Sequence, residues 1–132
     1  MTGIENPFQD EARERWGGTE AWQESQRRTR GYGPEQLRAI KAELEEIESR
    51  FARLLEDGSA PDSPSAVAAA EDARKHIDRW YYRCPPSMHA ALAEMYVTDP
   101  RFRAHYEDRS AGLAEFVSAA IRANADEGGN DG

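Results

Sequence analysis

Residues 33 to 58 read GPEQLRAIKAELEEIESRFARLLEDG. Leu37, Ile40, Leu44, Ile47, Phe51 and Leu54 recur at steps of 3, 4, 3, 4 and 3, with Glu, Lys and Arg between them. That is the period of one apolar helix face. Gly33-Pro34-Glu35 opens the segment with proline at the first helical position, and Asp57-Gly58 closes it. The spacing predicts an amphipathic helix of about six turns. Heptad spacing also suits a coiled coil, but fewer than three heptads are present, so packing inside a bundle is the expectation.

Downstream, GSAPDSPS at 58 to 65 is a connection whose Ser63-Pro64 reads as the N-cap and first residue of the next helix. Val67, Ala70, Ala73, Ile77, Trp80 and Tyr81 mark its apolar face. It is expected to end near Arg83, because Cys84 precedes Pro85 and is pushed away from helical angles. Pro86 then opens a helix with Met88, Leu92, Met95 and Tyr96 at helical spacing, and Asp99-Pro100 breaks it to start a short helix carrying Phe102 and Tyr106. Ser110 is expected to cap a last helix whose inner face holds Leu113, Phe116, Val117, Ala120 and Ile121. With no β-alternation anywhere, the fold class is all-α.

Upstream, FQDEARERWGGTEAWQESQRRTRGYG at 8 to 33 is apolar only at Phe8, Ala12, Trp16, Ala21, Trp22 and Tyr32, too little to fold alone. Two short helices, 9 to 16 and 19 to 30, are expected there, split by Gly17-Gly18, the second capped by Thr19. Both depend on a surface to cover. The chain thus divides into a conditional N-terminal segment (1–33), a helical body (34–125) and an acidic tail (126–132) expected to be disordered.

At 132 residues the chain holds one domain. Seventeen Lys and Arg against 25 Asp and Glu leave a net charge of −8, so no positive field exists to collect phosphates, and a nucleic-acid partner is not expected. Mean hydropathy is −0.87 and no run approaches a membrane span, so no membrane partner is expected either. The N-terminus MTGIENPFQDEARERW has no apolar signal-peptide core, and Cys84 is the lone thiol. A cytoplasmic monomer without disulfides or cofactors is the expectation.

Cys84 is the one candidate nucleophile, with Arg83 adjacent and His89 five residues on. Neither spacing fixes a geometry or supplies a group to orient a base, and a structural, buried cysteine is the plainer reading. His76, His89 and His105 fall on different expected helices without metal-ligand spacing. Arg27, Arg28 and Arg30 are flanked by Glu20 and Glu24 at helical distance and read as a solvated, ion-paired face. No phosphate-binding glycine loop or hydrolase elbow is present. No catalytic residue is assigned.

The informative density lies between 80 and 106: Trp80, Tyr81, Tyr82, Met88, Met95, Tyr96, Phe102 and Tyr106. Successive helical residues are ~100° apart, so Trp80, Tyr81 and Tyr82 cannot all face one core. The residues suit either an aromatic-rich core or a cleft of flat rings and adaptable Met side chains for a large, partly planar ligand.

MHAALAEMYVTDPRF (88–102) followed by GLAEFVSAAIRAN (112–124), with ERWGGTEAW (14–22), DSPSA (62–66) and Trp80-Tyr81-Tyr82-Arg83-Cys84, resembles the TipAS antibiotic-recognition domain, the effector half of certain MerR-type regulators. The resemblance covers nearly the whole chain. It implies a globin-like helical bundle with a cleft for bulky antibiotics, chiefly thiopeptides and in some members albicidin. It also implies an N-terminal lid that is disordered when empty and closes over bound drug. In complete regulators a DNA-binding half precedes this domain, whereas Met1 here starts almost at the effector module. A standalone sequestering protein is therefore expected, with the ligand-sensing module of a regulator as the alternative. In thiopeptide-binding members a cysteine on the helix that begins at the Met-His pair adds to a dehydroalanine of the drug. The alignment puts Ala91 there, so binding is expected to be non-covalent. Trp80 and Tyr81 are expected to stack on ligand, Met88 and Met95 to give apolar contact, Ala91 to leave space and His76 to anchor polar atoms, with Trp16 and Trp22 in the lid.

Overall fold

The computed structural model describes residues 20–129, and every element among them is a helix: α1 (Glu20–Arg30), α2 (Pro34–Glu56), α3 (Pro64–Trp80), α4 (Pro86–Thr98), α5 (Pro100–Arg109) and α6 (Leu113–Gly129). Proline opens α2, α3, α4 and α5, where its missing N–H is one of the donors a helix start leaves unpaired anyway. The Ser63 hydroxyl accepts from Ala66 N at 3.3 Å and the Asp99 carboxylate from Arg101 N at 2.9 Å, capping α3 and α5 as the sequence suggests. Gly58, at φ 81°, turns the chain out of α2.

Helix α6 is the centre of the bundle, packed on α2, α3, α4 and α5. Its Leu113, Val117 and Ile121 meet Ile47 and Phe51 of α2, Ala66, Ala69 and Ala70 of α3 and Ala93 of α4 in one apolar cluster. The fully buried alanines let α3 and α4 approach α6 closely. Phe51 and Phe116 meet edge to face at 6.4 Å.

Several expectations shift in detail. Helix α3 ends at Trp80, three residues short of Arg83, because Tyr81 N and Tyr82 N both turn back to Ile77 O and Asp78 Oδ1 accepts Cys84 N at 2.8 Å. Its inner face is Ala66, Ala69 and Ala70 with His76, while Val67, Ala73 and Ile77 are half-buried. Close packing on α6 rotates the smallest residues inward. Ser110 does not cap α6 with its side chain. Glu107, reaching from α5, accepts from Gly112 N at 2.9 Å and Ala114 N at 3.0 Å instead, which the φ of 87° at Gly112 permits. Leu37 is exposed, since the start of α2 projects beyond the bundle. Helix α6 continues to Gly129, past Ala125, where the expected helical body ends. The expected helix over 9 to 16, the Thr19 cap and Trp16 lie outside the described residues.

Candidate functional site

His76 and Trp80 stand one turn apart on α3 and converge on a single oxygen of α2. Glu43 Oε1 lies 2.5 Å from His76 Nδ1 and accepts from Trp80 Nε1 at 2.9 Å. Arg79 Nη1 is 3.6 Å from the other Glu43 oxygen, and its guanidinium sits 5.9 Å from the Trp80 ring centre. Burial pushes the Glu43 carboxyl up, but the hydrogen bonds from His76 and Trp80 and the nearby Arg79 guanidinium outweigh it and hold the group below its ordinary value. The His76 side chain is only 3% exposed, its Nε2 has no hydrogen-bond partner among the described residues, and the Tyr81 ring lies edge-on at 6.1 Å.

Helix α1 finishes this end of α3. The last carbonyls of a helix have no partners within it. Here Arg28 Nη1 donates to Asp78 O at 2.7 Å and Arg79 O at 3.2 Å, and Tyr32 Oη donates to Trp80 O at 2.6 Å. The Tyr32 ring meets Trp80 edge to face at 5.6 Å. A cation on helix-end carbonyls also suits the negative end of the helix dipole. Glu24 holds Arg28 in place at 2.5 Å and also pairs with Arg27. Of the ion-paired face read from the sequence, Arg27 and Arg28 pair with Glu24, and Arg28 does more than pair.

Beyond Trp80 the chain enters a second, smaller cluster. Cys84, Leu92, Met95 and Phe102 are buried in it, with Ile77, Tyr82, Met88 and Tyr96 packed against them. Arg74 binds the Cys84 carbonyl at 2.9 Å while paired with Glu71, and Asn124 of α6 donates to Glu71 at 2.9 Å. The Arg74 hydrogen bond, joined by that from Asn124, overcomes the opposing effect of burial and draws Glu71 down to about 2. Cys84 itself is fully enclosed, and burial pushes its thiol up to about 12. A neutral, enclosed thiol is no nucleophile, so the structural reading of Cys84 holds. His89 is likewise buried, which pulls it down to about 4.

The expected site residues are therefore distributed over neighbouring places. His76, Trp80 and Tyr81 gather at the end of α3. Met95 is buried and Met88 half-buried in the adjoining cluster, Ala91 lies exposed on α4, and Trp22 is half-buried on α1. Two depressions line α2 and α3. One, of about 170 Å³, is walled by Glu43, Glu46, Arg50, Asp72, Lys75 and His76. The other, of about 330 Å³, lies by Arg53, Leu54 and Ser65. Met88, Ala91 and Met95 line neither. Glu43 is not singled out by the sequence at all, and Arg28 and Tyr32 are read there only as a surface cation and an apolar residue of the N-terminal segment. Glu43 is one acid among many on a charged face, and only its i, i+4 step to Ile47 hints that it points toward the bundle.

A sequence model of the TipAS antibiotic-recognition domain matches residues 8–124. The HTH-type transcriptional activator TipA of Streptomyces coelicolor is 42% identical over 118 residues, covering 89% of this chain and 47% of that protein. The activator mta of Bacillus subtilis is 34% identical over 114 residues, 86% of this chain and 43% of its own. The chain spans about half the length of the curated relatives it matches. TipAS of Streptomyces lividans in complex with nosiheptide, from a thiopeptide multidrug resistance system, superposes with a TM-score of 0.83 at 41% identity, over 95% of this chain and 89% of that one. The antibiotic-binding domain of a TipA-class multidrug resistance regulator gives 0.62 at 42% identity, over 67% and 94%. A match across most of the sequence and a shared all-helical architecture together show that this chain belongs to the TipAS antibiotic-recognition domain family.

Proposed function

We propose that the chain captures a bulky antibiotic, a thiopeptide or an albicidin-like compound, and acts by sequestering it. The observation that carries this reading is the likeness, at 41% identity over 95% of the chain, to a TipAS domain holding nosiheptide. The site lies around the end of α3. Trp80 and Tyr81 stack on flat parts of the ligand, His76 anchors a polar atom, and Met88 and Met95 adapt to its apolar surface. Helix α1, with Trp22 and the preceding Trp16, is the cover. It buries no residue of its own and docks through polar bonds, so it can open to admit a ligand larger than either depression. Capture is reversible, because the Cys84 thiol is enclosed and Ala91 carries no nucleophile.

Sequestration needs affinity and abundance, not turnover, and the net charge of −8 suits a chain that acts without DNA. A second reading, the ligand-sensing module of a regulator, is favoured by relatives that are HTH-type activators of which the chain spans about half. Calorimetric titration with nosiheptide tests the binding, and intact mass analysis tests its chemistry. The expected result is one-to-one binding, no mass increase and unchanged drug recovered, with an adduct only in Ala91→Cys. Absence of heat and of any thermal shift overturns the proposal. Expression of the chain in a sensitive bacterium separates the two roles: tolerance rising with protein level supports sequestration, whereas binding without tolerance favours sensing.

A further inference from the structure

The two ring nitrogens of His76 are in opposite circumstances. Nδ1 faces Glu43 at 2.5 Å, and Nε2 is buried with no hydrogen-bond partner among the described residues. The Glu43 carboxylate is itself fixed by Trp80 Nε1 at 2.9 Å and by Arg79 at 3.6 Å. A carboxylate can only accept, so in the neutral imidazole the proton resides on Nδ1 and Nε2 carries a lone pair. The two nitrogens diverge from the ring, which aims that lone pair away from Glu43. An acceptor buried without a donor destabilises a fold, and the few that occur call for an explanation. The ring that carries it lies edge-on to Tyr81 at 6.1 Å and shares Glu43 with Trp80, near the end of α3 that Arg28 and Tyr32 cap.

We infer that His76 is a specificity-determining residue: its Nε2 accepts a hydrogen bond from a donor on the captured antibiotic, an amide N–H or a hydroxyl, with Glu43 as the positioning residue that holds the ring in the accepting tautomer. This rests on the antibiotic-capture reading above. A ligand presenting a donor at this point completes a bond that the empty protein leaves open. A ligand presenting only an acceptor sets lone pair against lone pair and is rejected.

Nitrogen-15 NMR of the His76 ring, with nosiheptide as the probe, reads this directly. In the free chain Nδ1 is expected in the protonated range and Nε2 in the unprotonated range. On adding nosiheptide, Nε2 moves toward the protonated range while Nδ1 stays. His76→Phe keeps the ring shape and removes the acceptor, and is expected to weaken nosiheptide binding about tenfold, the size of one lost buried hydrogen bond. His76→Gln, which restores a carbonyl acceptor, recovers part of it. Glu43→Gln is expected to give a mixture of tautomers and a smaller loss. Nosiheptide binding with Nε2 unmoved, or at wild-type affinity in His76→Phe, overturns the inference and leaves capture standing. A ring protonated on both nitrogens in the free chain also overturns it. No binding of nosiheptide at all overturns capture and this inference with it. Should His76→Phe fail to fold, the wild-type Nε2 resonance decides alone.

Discussion

Helix α6 lies among four other helices with Leu113, Ala114, Val117, Ala120 and Ile121 buried, whereas α1 buries none of its residues and holds to the end of α3 through Arg28 and, just past its own end, Tyr32. The first kind of attachment is collective, since removing apolar surface from water counts only when all the neighbours are in place. The second is a short series of hydrogen bonds, each worth about 0.5 to 1.5 kcal/mol, or somewhat more to a charged donor. A helix held in the second way can leave and return without disturbing the bundle. That difference is what a cover over a binding site requires, and amide exchange in the free chain gives its largest expected signature. Amides of α6 should exchange only through global unfolding and those of α1 several orders of magnitude faster, through local opening. Nosiheptide should slow α1 selectively, and paired Trp16→Ala and Trp22→Ala should raise its release rate. Equal protection of α1 and α6 in the empty protein would break the comparison.

The next effect belongs to the body alone. Phe51 is 1% exposed and meets Phe116 in the core. Phe51→Ala should cost about 3 to 5 kcal/mol in urea unfolding, by lost burial and the cavity left behind. Exchange of α1 by local opening should hardly change.

Acid sharpens the comparison in another way, because Glu71 ties α3 to α6 through Asn124 and to the 81–85 turn through Arg74. Its folded value is lowered from 4.5 to about 2. The stability it contributes is therefore complete above pH 4.5 and is lost as the pH falls through that window toward 2. Melting temperature should drop over this range in the wild type. Glu71→Gln should be less stable at neutral pH and lose less on acidification, and parallel curves for the two proteins would refute the assignment.

The smallest effects fall on α1. Arg28→Ala should cost about 1 to 2 kcal/mol of local stability and Tyr32→Phe about 1 kcal/mol, each seen as faster α1 exchange. The urea midpoint of the body should stay nearly fixed. A midpoint shift as large as that of Phe51→Ala would mean that the α3 end cap is part of the cooperative core.

Much of the helical outline was legible because proline is emphatic. Pro34, Pro64, Pro86 and Pro100 start helices where their fixed angle and missing donor allow little else. The heptad-like face of α2 was legible for Ile40, Ile47 and Phe51, yet Leu37 on the same face is exposed. Periodicity reports which residues share a side and not whether a neighbour covers it. Of the candidate site, His76, Trp80 and Tyr81 were named from sequence and do come together. Their shared partner Glu43 was not picked out, since 33 residues separate it from His76 and only its step to Ile47 sets it apart among the acids of α2.

By itself, the sequence determined the class of the protein: helices from the 3-and-4 spacing, boundaries from proline and glycine, a single thiol, and membership in a family through the 88–102 and 112–124 stretches. These depend on interactions within a few turns of chain, or on patterns that survive as text. Only the tertiary structure decided which alanines of α3 turn inward, that Glu107 rather than Ser110 starts α6, that Arg28 and Tyr32 terminate a helix some fifty residues away, and that one His76 nitrogen is clamped and the other left open. Each of those outcomes is a competition for a partner brought close by packing, and the winner is set by distance and direction in space.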